Sequence, residues 1–271
     1  MLTVDFHTHS IASVHGLNTI EELLRQADRN GLAGLAITDH SPGIDNTVWL
    51  SHNRTGDFCW EENIKGPDVP YFMNLLSRYE PPADIRVRLF RGIECNIYSD
   101  SDRPTDVPVF ISDRFDVVIA SVHPIPPLFV VENSLQVTER MIRAMDDPID
   151  IIGHPFHKRY SPLMEPLMDA AVEKNIVLEV NNSSLQLGKA DKLQARQMLE
   201  MAAQKKCRIA LSSDAHMANE LGGDEEINLI LDQIEFPEEL IVNRSEASAL
   251  DFITQRKKVR AEIKARLQKG N

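Results

Sequence analysis

Seven short runs rich in valine, isoleucine and leucine recur along the chain, and no other feature limits its possible folds as much. They are "LTVDF" (2–6), "LAGLAIT" (32–38), "VRLFRGIECNI" (87–97), "FDVVIASV" (115–122), "IDIIG" (149–153), "IVLEVN" (176–181) and "RIALSS" (208–213). Strands buried on both faces and separated by helical segments give a parallel α/β sheet. With this many in succession, we expect that sheet to close as a barrel. The connections support this. In "TIEELLRQADRNG", Thr19 and Glu22 form a capping-box pair, Gly31 sits at the C-terminal end, and Ile20, Leu23, Leu24 and Ala27 make one apolar face. "KADKLQARQMLEMAAQKK" (189–206) repeats the helical pattern before the last run.

No internal repeat or low-complexity linker divides the 271 residues, so a single domain over 1–271 is expected. Two segments break the rhythm. Residues 41–84 form an insertion after strand two that carries Trp49, His52 and Trp60, and its length predicts a functional loop lying over the barrel mouth. Residues 245–271 read as a C-terminal helix capped by Ser245. Its basic stretch (Arg256, Lys257, Lys258, Arg260, Lys264, Arg266) is expected to be a solvated face or, failing that, a partner surface. No apolar run approaches the ~20 residues of a membrane span, and the first residues do not resemble a secretory signal. Cys59, Cys95 and Cys207 show no pairing pattern, so a cytoplasmic location is expected. A net charge of −12 argues against an extensive nucleic-acid surface.

The histidines carry the chemistry. His7 and His9 follow strand one, and residues two apart in extended chain share a side, roughly 6.5–7 Å apart. His15 lies in the following loop. His40 ends "AITDH" after strand two, and Glu94 lies near the end of strand three. His123 follows strand four in "SVHP" and His154 follows strand five in "IIGHP". Asp214 and His216 follow strand seven in "SSDAH". All nine positions therefore fall at the C-terminal ends of strands, the active-site face of an α/β barrel. Imidazole with carboxylate suits zinc, manganese or iron. Nine donors exceed one tetrahedral site and suit two or three ions, with Glu94 and Asp214 as the natural bridges. Asp5, Asp39 and Ser213 lie beside these positions and are expected to orient them, with Asp5 facing the interior alongside His7 and His9.

In their order and spacing, "HTH", His15, "TDH", "GIE", "SVHP", "GHP" and "SDAH" resemble the PHP (polymerase and histidinol phosphatase) family of metal-dependent phosphoesterases, over residues 2–216. The resemblance implies a distorted (β/α)7, TIM-like barrel with a centre of three divalent metals, usually zinc, sometimes manganese or iron. By position it implies His7, His9, Glu94 and Asp214 at one metal, His15, His40 and His216 at a second, and Glu94, His123 and His154 at a third. The chain resembles the small stand-alone bacterial members. The activity implied is hydrolysis of a phosphate ester by a metal-bridged hydroxide, with a small phosphomonoester as the expected substrate.

The resemblance leaves the substrate open, with histidinol phosphate and nucleic-acid ends as alternatives. His52, His157, Lys158, Arg159 and Asn181 are the candidate substrate contacts, and Asn181 could instead position a ligand. A non-catalytic metal-binding module is the reading from another class, but such modules lose ligands and this chain keeps all nine. An amidohydrolase-type barrel also begins with a His-x-His pair. It bridges its metals with a modified lysine after strand four, where this chain has "ASVHP".

Overall fold

All seven apolar runs form strands. In the computed structural model, which describes residues 2–13, 15–42, 66–99, 103–124 and 133–269, they are β1 (Val4–Asp5), β2 (Gly34–Ile37), β3 (Arg88–Asn96), β4 (Val117–Ser121), β5 (Ile151–Gly153), β6 (Val177–Asn181) and β7 (Ile209–Ser212). They pair in chain order, each parallel to the next. The helices described are α1 (Ile20–Arg29), α2 (Ser134–Ala144), α3 (Met164–Lys174), α4 (Asn182–Gln186), α5 (Lys192–Lys205), α6 (Glu225–Leu231) and α7 (Glu246–Lys269). Helix α1 has the expected capping box between Thr19 and Glu22, and Gly31 follows it with φ of 76°. Beyond β1 the chain makes an isolated bridge from Thr8 to Ala215, and the His9 N–H donates to the Ala215 carbonyl at 2.8 Å. That contact joins the ends of β1 and β7, and the sheet forms a nearly closed (β/α)7 TIM-like barrel.

Side-chain alternation divides the strands between two cores. Val4, Phe6, Ala36, Phe90, Ile119, Ile151, Val177 and Ala210 belong to the inner one. Leu35, Ile37, Ile93, Cys95, Ile152, Leu178 and Leu211 belong to the outer one, beneath α1, α2, α3 and α5. Cys95 thus turns away from its neighbour Glu94, as alternation requires. Gly153 precedes the His154 loop, and a Cβ there would lie 2.1 Å from the Ser121 hydroxyl oxygen, so β4 and β5 can approach here only with glycine at this position.

Helix α7 closes the other end. Ala249, Phe252 and Ile253 enter the inner core, and Phe252 lies 5.9 Å from the Phe6 ring. The basic stretch departs from expectation, because Arg256 and Arg260 are 1% and 0% exposed. Both guanidinium groups pair with Asp150. Arg256 also donates to the Ile149 and Asn175 carbonyls, and Arg260 to those of Ser112 and Phe115. These carbonyls lie just before β4, β5 and β6. Lys257 and Lys264 reach Asp116 and Asp113 at 2.6 and 2.7 Å. Most of the stretch therefore serves as the barrel floor rather than a solvated face.

Of the insertion, residues 43–65, with Trp49, His52 and Trp60, lie outside the described residues. Its returning limb docks beside the end of β2. The Gly66 N–H donates to the Ser41 carbonyl at 2.9 Å, and Phe72 and Leu76 enter the outer core.

Candidate metal centre

Six of the seven strands send donors to one mouth of the barrel, and the donors converge on the Glu94 carboxylate, whose side chain is 1% exposed. Its Oε1 lies 3.3 Å from Nε2 of His7, 3.5 Å from that of His123 and 3.3 Å from that of His154. Its Oε2 lies 2.8 Å from His40 Nδ1 and 3.5 Å from His9 Nε2. Asp214 Oδ1 is the second focus, 3.3 Å from His9 Nε2, 3.5 Å from His7 Nε2 and 3.8 Å from His216 Nδ1. His15 joins through its Nε2, 3.2 Å from that of His40. The structure thus brings all nine expected positions together. Two of the nine, His154 and Asp214, have φ of 25° and 54°, a strained backbone that the surrounding contacts hold in place.

The chemistry of this set fits divalent cations. His7 Nε2, His9 Nε2, His216 Nε2 and Glu94 Oε1 are buried polar atoms with no hydrogen-bond partner, and His40 Nδ1, though 2.8 Å from Glu94, is not aligned for a hydrogen bond. Such groups cost about 1–3 kcal/mol each when left unpaired, and a shared cation would satisfy them together. Burial, with the nearby imidazoles, pushes His9 and His40 down to about 3 and His15 to about 4, so these rings are neutral donors near pH 7. Burial disfavours charge on Glu94 and Asp214, but the surrounding histidines outweigh it, and both carboxyls sit well below their usual range. His7 moves the other way. Its burial is outweighed by Glu179, Asp214 and Glu94. Three sets have donor atoms all within 4.8 Å of one another: His7, His9 and Asp214; His9, His40 and His216; and His40, Glu94 and His123. The first lies within one expected site. The other two set His40 between His216 and Glu94, a wider sharing than the resemblance implied.

Five of these rings have their other nitrogen fixed. His7 Nδ1 lies 2.7 Å from Glu179 Oε1, His9 Nδ1 3.2 Å from Ser13 Oγ, and His123 Nδ1 2.8 Å from Asn96 Oδ1. His154 Nδ1 lies 2.8 Å from the Tyr160 hydroxyl, and His216 Nδ1 3.0 Å from the Asp214 carbonyl. Such partners select the tautomer and aim of a ligating ring. Asp39 acts one step back. It accepts from Ser10, from Tyr71 and from Ser13, which in turn meets His9 and the His40 N–H. Asp5 departs from its expected orientation, since Val4 and Phe6 occupy the inner core. It accepts from Ser213 and the Gly222 N–H, bracing the loop that carries Asp214 and His216, and burial raises it to about 6.

The expected substrate contacts fare differently. His52 lies outside the described residues. Lys158 and Arg159 are exposed beside His157, whose ring stacks on Tyr160. Burial lowers His157 to about 4, and its Nδ1 accepts from the Arg159 N–H, so it is a neutral ring with little proton to give near pH 7. Asn181 is turned towards two carboxylates of the mouth. Its amide donates to Asp214 Oδ2 at 3.1 Å and to Glu179 at 3.2 Å, and its Oδ1 caps α4. Sequence reasoning missed Glu179, Asn96 and Tyr160. For the first two a signal existed: each lies two residues along its strand from another position facing the mouth, Asn181 and Glu94.

Residues 5–183 match the PHP domain family. The chain belongs to this family. A probable phosphatase of Caldicellulosiruptor saccharolyticus is 32% identical over 255 residues, spanning 93% of this chain and 96% of that one. Another, from Caldanaerobacter subterraneus subsp. tengcongensis, is 33% identical over 261 residues, 95% of this chain and 93% of that one. Among solved structures, the histidinol phosphate phosphatase of Lactococcus lactis, complexed with zinc, L-histidinol and phosphate, superposes with a TM-score of 0.57. At 17% identity, covering 87% of this chain and 94% of that one, it shares the PHP barrel fold.

Proposed function

We propose that this PHP protein is a metal-dependent phosphoesterase acting on a small phosphomonoester. The observation that carries the reading is the convergence of seven imidazoles and two carboxylates around Glu94, with unpaired buried atoms on four of the imidazoles and on Glu94 itself. We assign the donors to as many as three ions, with Glu94 shared and zinc favoured by the imidazole-rich set, manganese or iron being alternatives. Divalent metals, when bound, lower the pKa of a water towards neutrality and offset phosphate charge. The chain's own residues prepare for this. Ser13, Asn96 and Tyr160 hold the rings of His9, His123 and His154 so that each Nε2 faces the carboxylates. His123, His154, Asp214 and His216 keep 11–25% side-chain exposure, which puts them on the solvent side of the cluster where a phosphate can arrive. Lys158 and Arg159 add positive charge on the loop after β5. The acidic overall balance disfavours long nucleic acids.

The test is a panel of phosphometabolites, including histidinol phosphate, with an internal phosphodiester for comparison. Metal-loaded enzyme should release inorganic phosphate from at least one monoester. Chelation should abolish the release, and zinc or manganese should restore it. No turnover of any phosphate ester with any of the three metals would overturn the assignment.

A further inference from the structure

We propose that Glu179 is a positioning residue that sets the ligands from β1, β5 and β7 around the metal centre, a role that rests on the metal-centre reading above. Of the seven strands, β6 alone supplies none of the nine donors. It supplies instead a carboxylate only 3% exposed, placed among the strands that do. Glu179 Oε1 lies 2.7 Å from His7 Nδ1 and accepts from the Ser212 hydroxyl, on the strand that leads to Asp214. Its Oε2 accepts from the His154 N–H at 2.5 Å and from the Asn181 amide at 3.2 Å. The same amide reaches Asp214 Oδ2 at 3.1 Å. One side chain thus touches one ligand ring, the backbone of a second ligand and the group that holds a third.

Each contact has a consequence for ligation. With an acceptor at Nδ1, His7 keeps a proton there, so Nε2, 3.3 Å from Glu94 and 3.5 Å from Asp214, is the nitrogen a cation would take. The N–H bond to Glu179 secures His154 at its φ of 25°, a conformation a non-glycine residue keeps only under constraint. A glutamine would break the arrangement. The carboxylate meets four donors, and a carboxamide can face them with only one oxygen, setting its NH₂ against the rest.

The test compares wild type with Glu179→Gln. Metal-free proteins are titrated with zinc against a chelating dye and with cobalt(II), whose visible absorption reports coordination geometry. Unfolding midpoints are recorded with and without zinc. Glu179→Gln should weaken at least one zinc site by about 10–100-fold and alter the cobalt spectrum. Its midpoint should fall more in the zinc-loaded than in the metal-free form. Wild-type zinc affinity and an unchanged cobalt spectrum would overturn the role, as would equal falls in both midpoints, the mark of a merely structural carboxylate. Should Glu179→Gln not fold, Glu179→Asp carries the test. It keeps the charge but withdraws it, so it should still bind zinc with an altered cobalt spectrum, and a wild-type spectrum would overturn the role. Wild-type protein that takes up neither metal would instead bring down the metal-centre reading itself.

Discussion

At the scale of single residues, the site is built around one acid. Glu94 faces His7, His9, His40, His123 and His154, so its charge is what would allow cations to share the space. Glu94→Gln keeps the volume and removes that charge. It should lose at least one metal, by elemental analysis, and cut phosphatase activity by several orders of magnitude; full metal content with near-native turnover would show that another group does the bridging. Tyr160 offers a milder change. Its hydroxyl meets His154 Nδ1 at 2.8 Å and donates to the His154 carbonyl at 3.0 Å. Tyr160→Phe removes both contacts while keeping the ring. Zinc competition should show about tenfold weaker binding, and the fold should lose only about 1–3 kcal/mol by denaturant titration.

At the scale of elements, legibility in the sequence followed the range of the interactions. The strands were readable because each declares itself within a few residues, and α1 because its capping box is local. Helix α7 was readable as a helix but not as a floor. Nothing nearby distinguishes Arg260 from Lys258, since the carboxylate that meets Arg260 is Asp150, 110 positions earlier. The fold makes them different: Arg260 is fully buried and Lys258 exposed. Arg260→Ala leaves Asp150 with Arg256 and the Val118 N–H and strips donors from the carbonyls before β4. Breaking one side of such a buried network costs about 3–5 kcal/mol. Lys258→Ala should stay within about 0.5 kcal/mol of wild type. Urea midpoints of the two variants check the contrast, and folded Arg260→Ala should keep wild-type zinc affinity because the floor is at the opposite end from the metal mouth.

For the whole molecule, the nine donors were legible because barrel topology carries every strand end to one place, however far apart in sequence. The supports were less so. Glu179 is one acid in an apolar strand, and only the closed barrel sets it against His7, 172 positions away. The same closure predicts how the protein answers to metal removal. Donors from β1 to β5 and β7 meet only in the folded chain, so cations held by them would favour the native state over the unfolded one. At a free-ion level of 100 times Kd, each site then adds about 2.7 kcal/mol of stability. For a chain somewhat larger than 150–250 residues, where each kcal/mol moves the midpoint by about 2–4 °C, chelation should lower it by at least about 5 °C. Calorimetry before and after chelation measures the shift, and elemental analysis of the reconstituted protein counts the ions. The donor set calls for two to three per chain. One ion or fewer after reconstitution would rule out a shared centre at Glu94, and an unchanged midpoint would mean that the convergent imidazoles are satisfied without metal.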